Sequence, residues 1–167
     1  FPAHETDGGE TKSQEIDFVV GANFIVTVRY DVVVPLHHLK KILETEKLVG
    51  GHNGITTDVL LEILFAHLYA SARDHTNHLA DAIARVENEM FDGHERSTVR
   101  LISDVGREFL HLDAALADQE ETLGYFLKML AGRGFFGASF AERSERILAE
   151  RAQVMRLVGT HRAIATE

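Results

Sequence analysis

The sequence predicts an α/β fold: a small, partly antiparallel sheet, then a long antiparallel helical hairpin and the start of a further helix. Three observations predict it. Residues 15–29, EIDFVVGANFIVTVR, alternate in hydropathy on both sides of Gly21-Ala22-Asn23, the pattern of a β-hairpin with one buried face. Two helical patterns follow, over 56–91 and 95–131, separated by Asp92-Gly93-His94. A last helical pattern starts near Ser139 and is still running at Glu167.

Each element has its own signals. Residues 4–14 are polar and contain Gly8-Gly9, and are expected to form a surface lead-in without regular structure. Ile16, Phe18 and Val20 alternate with Asp17 and Val19, and Phe24, Val26 and Val28 alternate with Ile25, Thr27 and Arg29. Gly21 and Asn23 are turn residues that adopt positive φ cheaply. Pro35 stops the strand, and Leu36, Leu39, Ile42, Leu43 and Leu48 predict a short amphipathic helix ending at Gly50-Gly51.

Thr56 and Thr57 are N-cap candidates, and Asp58 and Glu62 suit the positive end of a helix. In the first long helix Leu61, Phe65, Leu68, Ala72, His75, Leu79, Ala82 and Val86 form a seam; in the second the seam runs through Ile102, Val105, Phe109, Leu112, Leu116, Gln119, Leu123, Phe126 and Leu130. The spacing averages about 3.5 residues, the coiled-coil period. So short a connection forces the two helices antiparallel. At about 1.5 Å per residue each would be roughly 50 Å long, so part of the pair is expected to project or pack on another subunit. Gly132-Arg133-Gly134 ends the pair, and Phe140, Ile147, Val154, Leu157 and Val158 mark the apolar side of the last helix. The resulting organisation is one domain with three parts: 1–55, 56–133 and 138–167.

Composition removes several function classes. The 167 residues carry 17 Lys and Arg against 26 Asp and Glu, a formal charge of −9. A nucleic-acid surface needs a basic patch, and none is present in the sequence. Cysteine is absent, which excludes disulfides and thiolate metal sites. No apolar run approaches the roughly 20 residues that cross a bilayer. The chain opens at Phe1-Pro2 and closes inside a helical pattern, so it is expected to be a piece of a larger protein. Catalytic motifs are lacking: there is no Gly-x-Ser-x-Gly elbow and no phosphate-cradling loop with its lysine. No catalytic or cofactor-binding residue is therefore assigned, and the chain is expected not to be an enzyme.

One metal-enzyme alternative has a concrete basis. Glu108-Phe109-Leu110-His111 is a Glu-x-x-His on a long helix, and His75 and His78 lie one turn apart on its partner beside Asp74 and Asp81. A ferritin-like di-metal bundle needs two such motifs and further inward carboxylates, and the chain has one. A purely structural oligomerisation module is the other alternative. The first long helix is acidic, with Asp74, Asp81, Glu87, Glu89 and Asp92, and Glu95 beyond it. Those acids suit either a cation-concentrating element or a solubilising surface.

The hairpin motif, with Gly21, Asn23, Phe24, Val26 and Thr27, leads through a short helix into Leu60, Leu61, Leu64 and the seam to Met90. With the unfinished helix over 142–164, this resembles the cytoplasmic part of CorA-type divalent-cation transporters over almost the whole chain. The resemblance implies a three-layer α/β/α domain and a last helix that begins the stalk of the channel. It also implies a homopentamer in the cell inner membrane, this part on the cytoplasmic side and the membrane reached through further C-terminal helices. Mg²⁺ is then the transported and regulatory ion, with Co²⁺, Ni²⁺ or, in a related exporting branch, Zn²⁺ as variants. Metal between neighbouring domains would hold the channel closed. The family's regulatory acid falls at about Glu145, with Glu142 next, and Glu150 a further carboxylate on this helix. Mg²⁺ takes oxygen ligands and keeps several waters, so a few carboxylates suffice. The plainer alternative is that these glutamates form a solvated helix face paired with Arg143, Arg146 and Arg151.

Overall fold

The computed structural model describes residues 3–7, 10–30, 32–48, 54–90 and 95–165. Four strands, β1 (Ala3–Asp7), β2 (Glu10–Gln14), β3 (Ile16–Val20) and β4 (Ile25–Arg29), precede four helices, α1 (Val34–Leu48), α2 (Thr57–Met90), α3 (Glu95–Gly132) and α4 (Phe140–Ala165). The fold is α/β with helix dominant. The strands form two separate antiparallel ladders, β1 with β2 and β3 with β4.

The β1–β2 ladder corrects the expected irregular lead-in over 4–14. It pairs Ala3 with Gln14 through to Asp7 with Glu10. Between the strands stands Gly8-Gly9, a dipeptide favoured in tight hairpins, whose signal the polar composition concealed.

The β3–β4 hairpin forms as expected, but its loop is one residue longer than the Gly21-Ala22-Asn23 turn. Val20 pairs with Ile25 and Phe18 with Thr27, so Gly21 to Phe24 are the connection, closed by the Gly21 amide donating to the Phe24 carbonyl at 2.9 Å. One residue of register exchanges the two faces of a strand. Ile25 and Thr27 therefore face inward with Phe18 and Val20, while Val26 and Val28 are exposed. Neither Gly21 nor Asn23 has positive φ. Gly21 is instead required by a close approach: a Cβ there would lie 2.6 Å from Phe24 Cζ.

α1 begins with Pro35 in its first turn, where its missing N–H costs nothing, and Val33, Leu36 and Leu39 anchor it in the core. The seams of α2 and α3 meet as predicted: Leu61, Phe65, Leu68 and Ala72 are buried on one helix, and Val105, Phe109, Leu112, Leu116, Leu123 and Leu130 on the other. Contacts between residues 69 and 119 and between 75 and 108 fix the antiparallel sense. The buried stripe of α2 is wider than its seam, taking in Leu64, Tyr69 and Thr76, because α2 packs on α1, α3 and α4 together. The side chains of Leu48, Val86, Glu87, Glu89, Asp92 and Glu95 lie outside the described residues.

Gly134, with φ of 68°, ends α3; left-handed backbone suits glycine after a helix. α4 then packs in the groove between α2 and α3 along its length. Its buried residues are Phe140, Ile147, Arg151, Val154 and Val158, spaced by seven, four, three and four. α4 runs parallel to α2 and antiparallel to α3, shown by Asp58 with Arg143 and by Phe109 with His161.

Candidate functional site

The first two turns of α4 carry Glu142, Arg143, Glu145 and Arg146 at the start of α2. Arg143 Nε donates to Asp58 Oδ2 at 2.9 Å and its Nη1 to Glu62 Oε2 at 2.6 Å. Arg146 also donates to Glu62, through Nε to Oε1 and Nη2 to Oε2. Glu62 thus receives two guanidinium groups, the planar geometry in which Arg–carboxylate bonds are strongest. The result is a clamp between helices distant in sequence, where dipole preference alone had been the expected role of both acids.

The clamp acts on ionisation. The Arg146 bond, with Arg143 beside it, lowers the Glu62 pKa against the opposing effect of burial. For Asp58, burial pushes upward, but bonds from the Thr56 hydroxyl and the backbone and the nearby Arg143 outweigh it, and the net direction is downward.

Arg151 overturns the expectation of a solvated partner for the α4 glutamates. It is 5% exposed; Nε and Nη2 donate to the Leu116 carbonyl at 2.9 and 2.6 Å, and Nη2 reaches Glu120 Oε2 at 3.2 Å. Its position in the 147–151–154–158 spacing was the available sign. Glu150 turns to Arg73 at 3.8 Å, and Arg162 donates to Asp113 of α3.

Glu142 and Glu145 are both exposed, and among the described residues neither makes an ion pair. The arginines flanking them in sequence are engaged by α2 and α3. Glu142 acts on Arg146 only through its field. One turn apart on the helix, the two carboxylates share a side, so together they offer two oxygen donors to a cation and leave the rest of its shell to water or another chain.

The histidine-based alternative does not assemble. His75 Nε2 and Glu108 Oε2 stand 3.8 Å apart, beyond hydrogen-bond distance. His78 and His111 are exposed. Among the described residues no three His, Asp or Glu side chains are grouped to hold a metal. Burial lowers the His75 pKa, more than Glu108 raises it. Tyr69 is fully buried and donates to Gln119 Oε1 at 3.0 Å. Burial raises its pKa, with Arg151 opposing.

Comparison with known proteins decides the family. The model of the CorA-like Mg²⁺ transporter protein family matches residues 1–166. The chain belongs to that family. Its fold is similar to the complete structure of the CorA magnesium transporter from Methanocaldococcus jannaschii, with a TM-score of 0.81 at 16% identity. The match covers 99% of this chain and 51% of that one, so the chain spans about half the length of the solved CorA transporter. No curated protein sequence matches. Among the described residues, no helix of this CorA family member is long and apolar enough to cross a membrane.

Proposed function

We propose that this chain is the cytoplasmic regulatory domain of a divalent-cation transport channel, in which Glu145 and Glu142 sense Mg²⁺. Family membership supports the transport setting. The observation that carries the sensor is the engagement of Arg143, Arg146 and Arg151 by α2 and α3, which leaves both carboxylates exposed and uncompensated. An all-oxygen donor set suits Mg²⁺ better than Co²⁺, Ni²⁺ or Zn²⁺, which favour nitrogen or sulfur ligands. Two carboxylates do not complete a site. The remaining donors come from waters and from a neighbouring protomer in a homopentamer, and metal there holds the closed state. The ion path and the attachment to the inner membrane belong to other parts of the parent protein. The role is transport and not catalysis.

The test uses the full-length parent in detergent. Millimolar Mg²⁺ should raise its unfolding temperature, Glu145→Ala should blunt the rise, and Glu142→Ala should do so to a smaller degree. An undiminished rise in both variants would place the sensor elsewhere. Absence of Mg²⁺ flux by the parent in vesicles would remove the transport role itself.

A further inference from the structure

Between Asp118 and Arg133, α3 turns one side to solvent. Asp118, Glu121, Tyr125, Lys128 and Met129 are all exposed, and residues three, four and seven apart share a side of a helix. Tyr125 is 65% exposed and Met129 43%. Met129 continues into a shallow cleft of about 280 Å³ whose wall includes Val20, Arg133 and Phe135, and Phe135 is exposed as well. Single exposed apolar side chains are ordinary. A contiguous group of them with charges at its rim marks a contact surface.

The charges on this face come in a fixed order. Asp118 and Glu121 precede Tyr125, and Lys128 and Arg133 follow it. None of the four side chains is in an ion pair among the described residues. Lys128 and Arg133 suit the negative end of α3, but Asp118 and Glu121 stand far from its first turn, where the helix dipole favours acids. The dipole therefore accounts for half of the pattern.

The order selects the occupant. A surface of one sign would be repelled at one end of the face, and an apolar one would leave its charges without partners. A second copy of the same face, turned end for end, carries the opposite sign at each place. We propose that α3 pairs antiparallel with α3 of a second copy of this chain, about a two-fold axis at Tyr125. Residues equally far before and after Tyr125 then meet. Glu121 comes against Lys128 and Met129, and Asp118 against Gly132 and Arg133, each contact being made twice. A parallel pair would instead set Glu121 against Glu121 and Lys128 against Lys128. The face contains neither Glu142 nor Glu145 and stands independently of the Mg²⁺ sensor. A two-fold contact does not close a ring of five, so in a homopentamer it would join a chain of one ring to a chain of another.

Sedimentation velocity of the full chain tests the pairing. A few turns of paired helix bury less than a standard interface, so the dimer should have a Kd on the order of 100 μM. Lys128→Glu alone and Glu121→Lys alone each set like charges together in both halves of the contact. Each should raise Kd at least about tenfold. An equimolar mixture of the two variants has opposite charges at every one of these contacts again, and should associate within about threefold of the parent. A chain that stays monomeric at about 1 mM overturns the pairing. A dimer indifferent to both variants, or a mixture no tighter than its components, overturns it as well. A dimer that resists both variants but is lost on Val26→Lys would place the contact on the exposed face of the β3–β4 hairpin and overturn it likewise.

Discussion

Arg151 directs two nitrogens of its guanidinium at one oxygen, the carbonyl of Leu116, at 2.9 and 2.6 Å from a site that is 5% exposed. Among the described residues its carboxylate contact is Glu120, on a side chain that is 77% exposed. A buried cation so lightly compensated contributes to stability through the packing of its stem more than through its charge.

Replacement by methionine should therefore leave stability within about 1 kcal/mol of the parent or raise it. Arg151→Ala, which opens a cavity between α3 and α4, should cost about 2–4 kcal/mol. Urea unfolding of the two variants checks this. Equal losses in both would show that the charge itself carries the contribution.

The clamp of Asp58 and Glu62 with Arg143 and Arg146 makes stability acid-sensitive. Both carboxylates have folded-state pKa values below their ordinary values of 3.8 and 4.5. Folding therefore favours their charged forms, and the stabilisation is fully present above about pH 5. It is lost as pH falls through the depressed folded values. Urea midpoints measured from pH 6 downward should decline in the parent, and decline less in a variant carrying Asp58→Asn and Glu62→Gln.

His75 titrates in a different window. Its pKa is depressed below the ordinary 6.5 by burial, so the folded state holds the neutral ring. The facing charged groups are Glu108 on α3, which opposes the shift, and His78 on α2, which adds to it. Stability is full above pH 6.5 and falls as pH drops toward the folded value. His75→Leu should remove that part of the pH dependence. Its NMR titration in the parent should centre below the ordinary 6.5.

Gly21 and Phe24 should be coupled. In the parent, Gly21→Ala pushes against a ring that is 54% exposed and free to swing outward, so the cost should stay below about 1 kcal/mol. With Phe24→Ala already present the clash is gone. Gly21→Ala should then stabilise by about 0.4–1 kcal/mol, because it reduces the freedom of the unfolded chain. A double-mutant cycle by thermal unfolding measures the difference. Additive effects would contradict the close approach.

The helices were legible because long periodic seams, threonines before Asp58 and glycines after Leu130 act locally. Other features depend on chain segments meeting in space. Arg143 and Arg146 look like neighbours for Glu142 and Glu145 at helical spacing, and only the packing of α4 along α2 sends them to Asp58 and Glu62. Arg151 was the more readable case, since the seam spacing passes through it. A polar residue on that stripe signals a buried hydrogen bond. The inward face of β4 was misjudged because a single loop residue, Phe24, decides it. In β1 and β2 the polar side chains hid a ladder that rests on backbone bonds.

The position of the clamp has a mechanical consequence. α4 is held near Arg143 and Arg146, close to its first residue, and Ala165 lies about 28 Å further along the axis at 1.5 Å per residue. A tilt of about 5° pivoting at the clamp would carry Ala165 through about 2.5 Å. Glu142 and Glu145 sit at the short end of that lever. Arg151 on Leu116 and Arg162 on Asp113 tie α4 to α3 further along, so a displacement of that size at Ala165 requires those contacts to yield.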